Sequence, residues 1–453
     1  MRPRRLSAVA AATGGHLVGD DAEVRGAATD SREVQMEDLF VALPGDRVDG
    51  HDHVDEAFSR GASGALVSRR DAFAGPVVVT AQTGPALLRL AADERAGMPV
   101  PVVGITGSTG KTSVKDMTAA VLSTRLRTAA SPRSFNTEVG VPLTLLNVPD
   151  DAEAVVCEMG SRGVGHIAAL CEVVRPDVGV VTNVGPAHLE MFGSVDVVAD
   201  AKAELVEALP ADGTAVLNAD DPVVGGFDRR TSARVLRFGR SSDADVRAED
   251  TELDRQARAL FTLRTPAGTE RVELAVPGEH MVSNALAAAA AGVALGLSAG
   301  ECAAGLKEAR VSAWRMEVTE TAAGVTVVND AYNANPASMA AALKTARWIA
   351  GDRRCVAVLG EMAELGPVSE AEHDRAGELV ARLGIEELVV VGPGARPIAT
   401  GAGREGVEPD HIRVFETVEE AADAVRNIVR PGDVILVKAS RVAGLERVAE
   451  TIQ

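Results

Sequence analysis

The chain has few cysteine, lysine and aromatic residues, and it has no long hydrophobic run. Only four of its 453 residues are cysteines, and no two form a C-x-x-C pair, so neither a disulfide framework nor a zinc knuckle is indicated. The longest helix-like apolar run, 285–297, is shorter than the ~18 residues that a membrane-spanning helix needs. We therefore expect a soluble, cytoplasmic protein without a membrane span.

Positive charge is also scarce. Against 65 acidic residues stand 46 basic ones, and the net charge of −19 argues against broad binding to nucleic acid or to an anionic membrane. Only six of the 46 basic residues are lysines, so each retained lysine invites a functional interpretation. The arginine-containing start, followed by a short apolar stretch, is interpreted as a small amphipathic helix rather than a signal peptide.

The hydrophobic pattern predicts an α/β protein of three domains. Short strand-like pieces between polar turns predict a small α/β domain over residues 1–97. Continuous apolar runs such as 177–184 predict strands buried on both faces of a parallel sheet, in a central P-loop ATPase domain over 98–310. A doubly wound, Rossmann-like domain is predicted over 311–453, with a helix over 336–350. Because ligands of such sheets bind beyond the carboxyl ends of the strands, we expect a cleft between the two larger sheets.

The sharpest motif is a glycine-rich loop between an apolar strand and an amphipathic helix, in the segment Gly104-ITGSTGKTS. Such a loop lets the backbone approach a triphosphate, with Lys111 as a point charge and Thr112 as a hydroxyl ligand for Mg²⁺. Because Ile105 stands where the full motif has glycine, this is the shorter G-x-x-G-K-T form, and a structural glycine turn is the alternative. The predicted phosphate-binding residues are Gly107, Ser108, Thr109, Gly110, Lys111, Thr112 and Ser113.

Three polar residues of the middle block lie in segments that follow predicted strands. Glu158 follows an apolar run, His188 lies in Thr182-NVGPAHLE, and Lys202 lies in Ala201-KAEL. A carboxylate near a phosphate-binding loop is a suitable Mg²⁺ ligand. Taken singly, each residue also has an ordinary alternative, namely a solvated glutamate, a hydrogen-bonded histidine and a surface lysine.

Six segments in this order resemble the Mur ligase superfamily of ATP-dependent amide-bond-forming enzymes, over essentially the whole chain: Thr106-GSTGKT, Glu158-MGSRGVGHI, Thr182-NVGPAHLEMFGS, Ala201-KAEL, Leu217-NADDP and Gly278-EHMVSNALAA. Four more are similar to the branch that adds D-alanyl-D-alanine to UDP-N-acetylmuramoyl-tripeptide: Ser134-FNTEVGVPLTLL, Asn329-DAYNANPASM, Leu359-GEMAELG and Val437-KASRVAGLE. The Asp-Asn-Pro-Arg motif of the diaminopimelate-adding branch does not occur in the sequence.

The resemblance implies a ligase that forms the UDP-muramoyl-pentapeptide precursor of peptidoglycan through an acyl phosphate, with ATP and Mg²⁺. It implies that Lys111 binds the phosphates and that Thr112, Glu158 and His188 bind the metal. Lys202 corresponds to a lysine that many family members carbamylate with CO₂, and a carbamate would give the metal an anionic oxygen ligand. Carbamylation of Lys202 is a hypothesis for this chain.

The family pattern also implies the nucleotide contacts. It places Asn284 against the nucleotide, Arg315 on its phosphates and Asp330 on the ribose hydroxyls. Tyr332, the only tyrosine, and Asn333 lie in a turn-rich strand end, where a place in the cleft competes with a core position for the aromatic ring.

Substrate contacts follow from the same pattern. Ser31 and Arg32 are expected near UDP, where a guanidinium suits a diphosphate. Asn136 and Thr137 are expected along the muramoyl-peptide path, although the family usually has two asparagines here. The expected ligands of the dipeptide carboxylate are Lys438, Ser440 and Arg441, with an N-cap as the alternative role of Ser440.

Several alternatives stay open. A sister amide ligase could add a different amino acid, and a nucleotide-binding protein without catalysis could scaffold cell-wall assembly. The histidines and aspartates of residues 49–53 could be mistaken for a metal cluster, but we interpret them as a polar turn. A monomer is expected.

Overall fold

A computed structural model describes residues 1–45, 48–69, 71–186 and 189–452. The architecture is α/β throughout, and each of three successive parts of the chain has its own sheet. Among the described residues, no helix has both the length and the apolar character needed to cross a bilayer.

The first part of the chain forms a five-stranded sheet with helices on it. Its elements are β1 (Arg4–Arg5), α1 (Leu6–Thr13), β2 (His16–Val18), β3 (Glu23–Val24), β4 (Gly26–Ala28), β5 (Asp38–Val41), α2 (Val54–Ser59), β6 (Gly64–Val67), β7 (Val77–Val79) and α3 (Thr83–Ala96). In the described residues the strand order is β2-β7-β6-β5-β4, parallel except for β2, while β1 and β3 pair separately. The helix interpreted from the start of the sequence is α1.

The second part forms the largest sheet, with nine strands among the described residues. Its elements are β8 (Val102–Thr106), α4 (Lys111–Leu122), β9 (Thr128–Ala130), α5 (Gly140–Leu146), β10 (Ala154–Glu158), α6 (His166–Val174), β11 (Val178–Val181), α7 (Leu189–Phe192), α8 (Val195–Glu207), β12 (Thr214–Asn218), α9 (Pro222–Gly225), β13 (Arg234–Gly239), β14 (Val246–Leu253), β15 (Arg258–Thr265), β16 (Gly268–Pro277), α10 (Met281–Ala294) and α11 (Ala299–Glu308).

The order of this sheet is β16-β15-β14-β13-β12-β11-β8-β10-β9. Strands β8 to β14 run parallel, as the continuous apolar runs of β11 and β12 predict, and β8 lies between β10 and β11. The carboxyl ends of these three neighbours therefore meet at one edge. Strands β15 and β16 continue the sheet as an antiparallel meander, which the sequence interpretation did not anticipate.

Helix α10 lies against α4 and the large sheet, and its alanine-rich sequence explains how closely it packs. A Cβ atom on Gly292 would lie 2.7 Å from a Val121 side-chain carbon, so a larger residue would push the two helices apart. At the other end of α10, Asn284 packs against Gly110 of the glycine-rich loop.

The third part forms a six-stranded sheet, counted over the described residues. Its elements are β17 (Glu317–Glu320), β18 (Thr326–Asn329), α12 (Pro336–Ala350), β19 (Cys355–Gly360), α13 (Ser369–Arg382), β20 (Glu387–Val391), α14 (Arg396–Arg404), β21 (Ile412–Phe415), α15 (Val418–Ile428), β22 (Val434–Lys438) and α16 (Glu446–Ile452). The order is β17-β18-β22-β19-β20-β21, parallel apart from β17. Helix α12 covers the 336–350 segment that the sequence predicted, and Asn335 caps it. The domain boundaries after residues 97 and 310 stay predictions; they fall between α3 and β8 and between α11 and β17.

Candidate nucleotide and substrate site

The glycine-rich loop joins β8 to α4, as the sequence predicted. Gly110 has φ +80°, a left-handed conformation that favours glycine, and it immediately precedes the helix. A Cβ atom on Gly107 would overlap the Thr182 hydroxyl. Both glycines are therefore required by the path of the loop. Ser113 is buried in the first turn of α4.

The segment after β11 holds this loop in place. Asn183 accepts a hydrogen bond from the Ser108 amide through its backbone oxygen and from the Thr109 amide through Oδ1, each at 2.9 Å. The Thr182 hydroxyl donates to the Thr109 carbonyl at 2.6 Å. The sequence assigns no role to Thr182 or Asn183, because β8 and β11 become neighbours only in the folded sheet. His188, a predicted metal ligand of the same segment, lies outside the described residues.

The Lys111 side chain contacts the backbone of the glycine-rich loop. Its Nζ donates to the Gly107 carbonyl at 2.8 Å, and burial lowers the pKa of this ammonium. A bound polyphosphate would favour the charged form and would replace the carbonyl contact with phosphate oxygens.

Glu158 is buried at the carboxyl end of β10 and has a neutral donor on each oxygen. Thr112 Oγ1 donates to Oε2 and Asn136 Nδ2 donates to Oε1, both at 2.7 Å. A carboxylate, a hydroxyl and an amide side chain in contact are hard oxygen-rich groups of the kind that Mg²⁺ prefers. The residues present thus fit the predicted metal.

Thr137, which was expected along the peptide path, makes local contacts. Its hydroxyl accepts long hydrogen bonds from the Val139 and Gly140 amides at the start of α5.

Arg315 reaches this group from the third part of the chain. Its Nη2 donates to Thr112 Oγ1 at 2.8 Å, and its guanidinium carbon lies 4.2 Å from the Tyr332 ring centroid. The Tyr332 hydroxyl contacts Ser134 Oγ, which places the ring in the cleft rather than in the core. Arg315 Nε is buried and has no partner among the described residues, so the guanidinium keeps an unused donor.

Asn284 lies on the opposite side of the loop. A Cβ atom on Gly110 would overlap Asn284 Oδ1, so this amide packs directly on the loop backbone. Its Nδ2 faces the Met281 sulfur at 3.3 Å. The nucleotide role expected of Asn284 is compatible with this position.

Lys438 differs from expectation. Its side chain is 1% exposed, and its ammonium forms an ion pair with Asp330 and donates to the Asn333 carbonyl at 2.8 Å. Its donors are therefore occupied, and the structure does not present Lys438 to a dipeptide carboxylate. The same pair engages the Asp330 carboxylate that was expected to meet the ribose, so a ribose contact there would share it with Lys438. Asn333 itself is exposed.

Ser440 and Arg441 have different surroundings. The Ser440 hydroxyl donates to the Ala334 carbonyl at 3.3 Å and accepts from the Ala363 amide at 2.9 Å, so it links two loops. Ser440 occupies the N-cap position of the turn at Arg441–Ala443, but its side chain makes no capping hydrogen bond. The Arg441 side chain is 50% exposed and lies over the Trp314 ring, 4.5 Å from its centroid. Of the three predicted carboxylate ligands, Arg441 is the accessible one.

Lys202 is buried, so it is not the ordinary surface lysine that was its alternative interpretation. It is 3% exposed on α8, its Nζ lies 5.8 Å from the Phe192 ring centroid, and it donates no hydrogen bond to a described residue. Burial, with the nearby Lys111 charge, lowers the pKa of Lys202 from 10.5 to about 7. A neutral amine in this position is a nucleophile, which fits the carbamate hypothesis.

Ser31 and Arg32, the predicted substrate residues of the first part of the chain, form hydrogen bonds with neighbouring side chains of that part. Ser31 is buried and donates to Glu56 at 2.8 Å, whereas Arg32 is exposed and forms a bidentate pair with Asp30. This pairing lowers the pKa of Asp30 to about 2. His51 accepts from the Ser68 amide at 2.8 Å, which agrees with the polar-turn interpretation. The described residues contain no cluster of three metal-ligating side chains.

A cavity of about 930 Å³ lies between the first sheet and the large sheet. Residues 26–29 line one side, and Arg133, Phe135 and Asn147 line the other. Ser31 and Arg32 do not line it, but Asn136 follows one of its lining residues directly. The cavity therefore borders the segment from which Asn136 contacts Glu158.

These features define a P-loop nucleotide enzyme whose site is completed by a third, Rossmann-like sheet. Family comparisons agree: residues 23–103 match the Mur ligase family catalytic domain, 105–292 the Mur ligase middle domain and 314–441 the Mur ligase glutamate ligase domain. The chain belongs to the Mur ligase family.

Several relatives within the family share one enzyme name. UDP-N-acetylmuramoyl-tripeptide–D-alanyl-D-alanine ligase of Mycobacterium tuberculosis is 44% identical, over 93% of this chain and 91% of the relative. The Escherichia coli enzyme of the same name is 36% identical, over 97% and 96%. The crystal structure of MurF from Acinetobacter baumannii superposes with TM-score 0.89 at 31% identity, over 100% of this chain and 99% of the other. MurF of Thermotoga maritima, solved in complex with ADP, gives TM-score 0.80 at 29% identity, over 95% and 97%.

Proposed function

We propose that this protein is the ATP-dependent ligase that joins D-alanyl-D-alanine to UDP-N-acetylmuramoyl-tripeptide, forming the pentapeptide precursor of peptidoglycan. The relatives named above support the substrates, and the ADP complex of one of them supports the nucleotide. The observation that carries the proposal is the pair of hydrogen bonds that Thr112, next to Lys111 at the start of α4, makes with Glu158 of the large sheet and with Arg315 from the third part of the chain.

The first step is phosphoryl transfer. An oxygen of the tripeptide carboxylate attacks the γ-phosphorus of ATP, the bond to the β,γ-bridging oxygen breaks, and ADP leaves with that electron pair. The product is an acyl phosphate, which gives an otherwise unreactive carboxylate a leaving group. Lys111 and Arg315 neutralise charge on the phosphate oxygens, and the loop amides orient them.

We propose that Thr112, Glu158 and His188 hold Mg²⁺, which would supply positive charge against the phosphates. Asn136 fixes the Glu158 carboxylate by donating to it. We also propose that the Lys202 amine adds to CO₂, so that a N–C bond forms and a proton is released to solvent. The resulting carbamate would put an anionic oxygen where the buried amine now lies.

The second step is amide formation. The neutral amine of the dipeptide attacks the acyl carbon, and the tetrahedral intermediate collapses with loss of inorganic phosphate and of the amine proton. Arg441, held over Trp314, is the group that we assign to the dipeptide carboxylate. We assign the cavity lined by Arg133 and Phe135 to the muramoyl peptide, with Ser31, Arg32, Asn136, Thr137, Tyr332 and Asn333 as the remaining substrate residues to be tested.

The expected setting is the cytoplasm, with the protein acting as a monomer. All four cysteines are free and buried, and burial raises the pKa of each thiol to about 12, so they suit a reducing compartment.

The test is phosphate release from ATP with UDP-N-acetylmuramoyl-tripeptide and either D-alanyl-D-alanine or single amino acids, with the product mass determined. We expect turnover and a pentapeptide product only with the dipeptide, and loss of turnover in Lys111→Ala but not in Lys307→Ala, a lysine on α11. Turnover with a single amino acid would identify a sister ligase instead. ATP binding without phosphate release would favour a non-catalytic scaffold.

A further inference from the structure

A buried lysine–aspartate pair lies one helical turn beyond the phosphate-binding lysine. The side chains of Lys115 and Asp116 are 3% and 14% exposed, and Nζ lies 2.7 Å from Oδ1. Charged side chains of helices normally reach solvent, and a buried pair needs its remaining hydrogen bonds satisfied. The mechanism proposed above uses neither residue.

Lys115 ties α4 to the loop that contacts Glu158. Its Nζ donates to the carbonyls of Ser131 and Arg133, each at 2.8 Å. Further along this loop, Asn136 donates to the Glu158 carboxylate. A displacement of the loop would therefore reach the metal-binding carboxylate.

Asp116 ties the same helix to the linker between α11 and β17. Its Oδ2 accepts hydrogen bonds from both the amide and the hydroxyl of Ser312, each at 2.8 Å. Three residues later Arg315 donates to the Thr112 hydroxyl, and Thr112 itself lies one helical turn before Asp116. The linker thus contacts α4 twice, through Ser312 at Asp116 and through Arg315 at Thr112.

The linker backbone needs such an anchor. Trp314 and Met316, on either side of Arg315, have φ values of 61° and 53°, a region that side-chain-bearing residues disfavour. On the far side of Arg315, the Met316 amide donates to Asp330 Oδ1 at 3.1 Å. The linker is therefore anchored on both sides of Arg315, by Asp116 at Ser312 before it and by Asp330 at Met316 after it.

We propose that Asp116, paired with Lys115, is a positioning residue that fixes the linker so that Arg315 reaches Thr112 and the phosphates bound beside it. The pair also keeps the Glu158-contacting loop on the same helix, so the metal carboxylate and the arginine of the third sheet are aligned on one element. The kinetic consequence of this inference rests on the proposed function; the structural consequence does not.

The structural test uses Trp314 as a reporter. The chain has two tryptophans, so Trp348→Phe leaves Trp314 as the only one. In that background Asp116→Asn places an amide donor against either Lys115 or the Ser312 amide, and we expect acrylamide quenching of the tryptophan to rise roughly twofold as the linker loosens. Asp228→Asn, which breaks a half-buried ion pair with Arg237 elsewhere on the large sheet, is the matched control and should leave quenching unchanged. Equal quenching in the Asp116→Asn variant and the control would overturn the proposal.

The kinetic test is a double-mutant cycle with Arg315→Lys. Asp116→Asn should lower kcat about tenfold when Arg315 is present and less than about twofold when lysine replaces it, because the aspartate acts through the arginine. Equal effects in both backgrounds would show general destabilisation and reject the positioning role. If the wild-type protein has no ligase activity, the proposed function fails, while the quenching measurement still decides the role of Asp116.

Discussion

A single hydroxyl joins the two sheets of the site. Thr112 Oγ1 donates its one hydrogen to Glu158 and accepts one from Arg315, so its two contacts have fixed and opposite polarity. Serine could keep both contacts, whereas valine at the same volume could keep neither. The residue that the P-loop motif reserves for Mg²⁺ thus also serves as the meeting point of the second and third sheets.

Asn136 allows a prediction about metal affinity. Its amide donates to Glu158 Oε1 at 2.7 Å, so Asn136→Ala leaves that buried oxygen without its donor and frees the carboxylate to rotate. Losses of this kind lower metal affinity by about 10- to 100-fold. We expect the Mg²⁺ concentration for half-maximal phosphate release to rise by a factor in this range, while Asn427→Ala, an exposed change on α15, leaves it unaltered. An unchanged magnesium requirement in Asn136→Ala would contradict the contact.

Lys202 allows a prediction about carbon dioxide. Because burial lowers its pKa to about 7, the amine is mostly neutral above pH 7 and increasingly protonated below it. With ¹³C-labelled bicarbonate and no added metal, we expect a carbamate carbon signal at pH 8 that is lost progressively as the pH falls through 7 to 6. Lys202→Arg should lack the signal and Lys307→Arg should keep it. A signal of equal size in Lys202→Arg would assign the carbamate elsewhere.

At the scale of secondary structure, helix α6 is capped by a residue of another helix. Gly165 precedes α6 and has no side chain to cap it, and the Glu204 carboxylate of α8 accepts from the Gly165 amide and from the Ala168 amide, the latter at 2.9 Å. This contact joins α6, which follows the Glu158 strand, to the helix that carries Lys202. The cap is therefore one of the contacts that relate the Glu158 strand to the helix of Lys202.

The cap predicts a stability difference between two glutamates of α8. Glu204→Gln places an amide hydrogen toward one of the two backbone donors, and we expect it to lower the free energy of unfolding by about 1–2 kcal/mol. Glu207→Gln, which removes only a half-exposed ion pair with Arg230, should change it by less than about 0.5 kcal/mol. Urea unfolding followed by circular dichroism measures both, and equal midpoints would exclude the capping role.

At the scale of the whole molecule, nucleotide binding brings together the second and third parts of the chain. One apolar cluster extends through both parts, and polar contacts join them at Arg315, at Ser312 and between Trp348 Nε1 and the Asp254 carbonyl at 2.7 Å. The net charge of −19 is compatible with binding ATP because the cations are local, at Lys111 and Arg315.

This arrangement predicts stabilisation by nucleotide. At 100 times its dissociation constant a ligand adds about 2.7 kcal/mol, which for a cooperative unit of this size raises Tm by about 3 °C. We expect this shift with Mg-ATP in differential scanning calorimetry, and its loss in Lys111→Ala, with Lys344→Ala as the surface control. A shift that persists in Lys111→Ala would place the nucleotide elsewhere.

Much of the fold follows from local pattern. The strands β8, β11, β12, β18, β19, β20 and β22 lie where continuous apolar runs end in polar residues. Helix α12 begins at Pro336 and ends before Gly351, and the apolar residues at helical spacing along the predicted amphipathic helix α4, Val114, Met117, Val121 and Leu122, are fully buried. Local spacing suffices in these cases because burial on both faces of a parallel sheet, or on one face of a helix, repeats along the sequence itself.

The β15–β16 meander shows the limit of that pattern. Strand β15 buries every second residue, whereas the first four residues of β16 are exposed, and bulges shift the register, so neither strand contains a continuous buried run like those of the parallel strands. They extend the sheet beyond β14 in sequence order, each strand pairing with the one before it.

The sequence by itself determined the phosphate-binding loop, the sequential α/β architecture and the family, because these depend on residue types at short, fixed spacings. Only the tertiary structure decided which of the marked side chains are available. It paired Lys438 with Asp330, buried Lys202 without a hydrogen bond to any described residue, and placed the buried Lys115 against two backbone carbonyls and the Asp116 carboxylate. The reason is physical: a charge is defined by its residue, but its partners and its hydration depend on chain segments that meet only when the sheets pack.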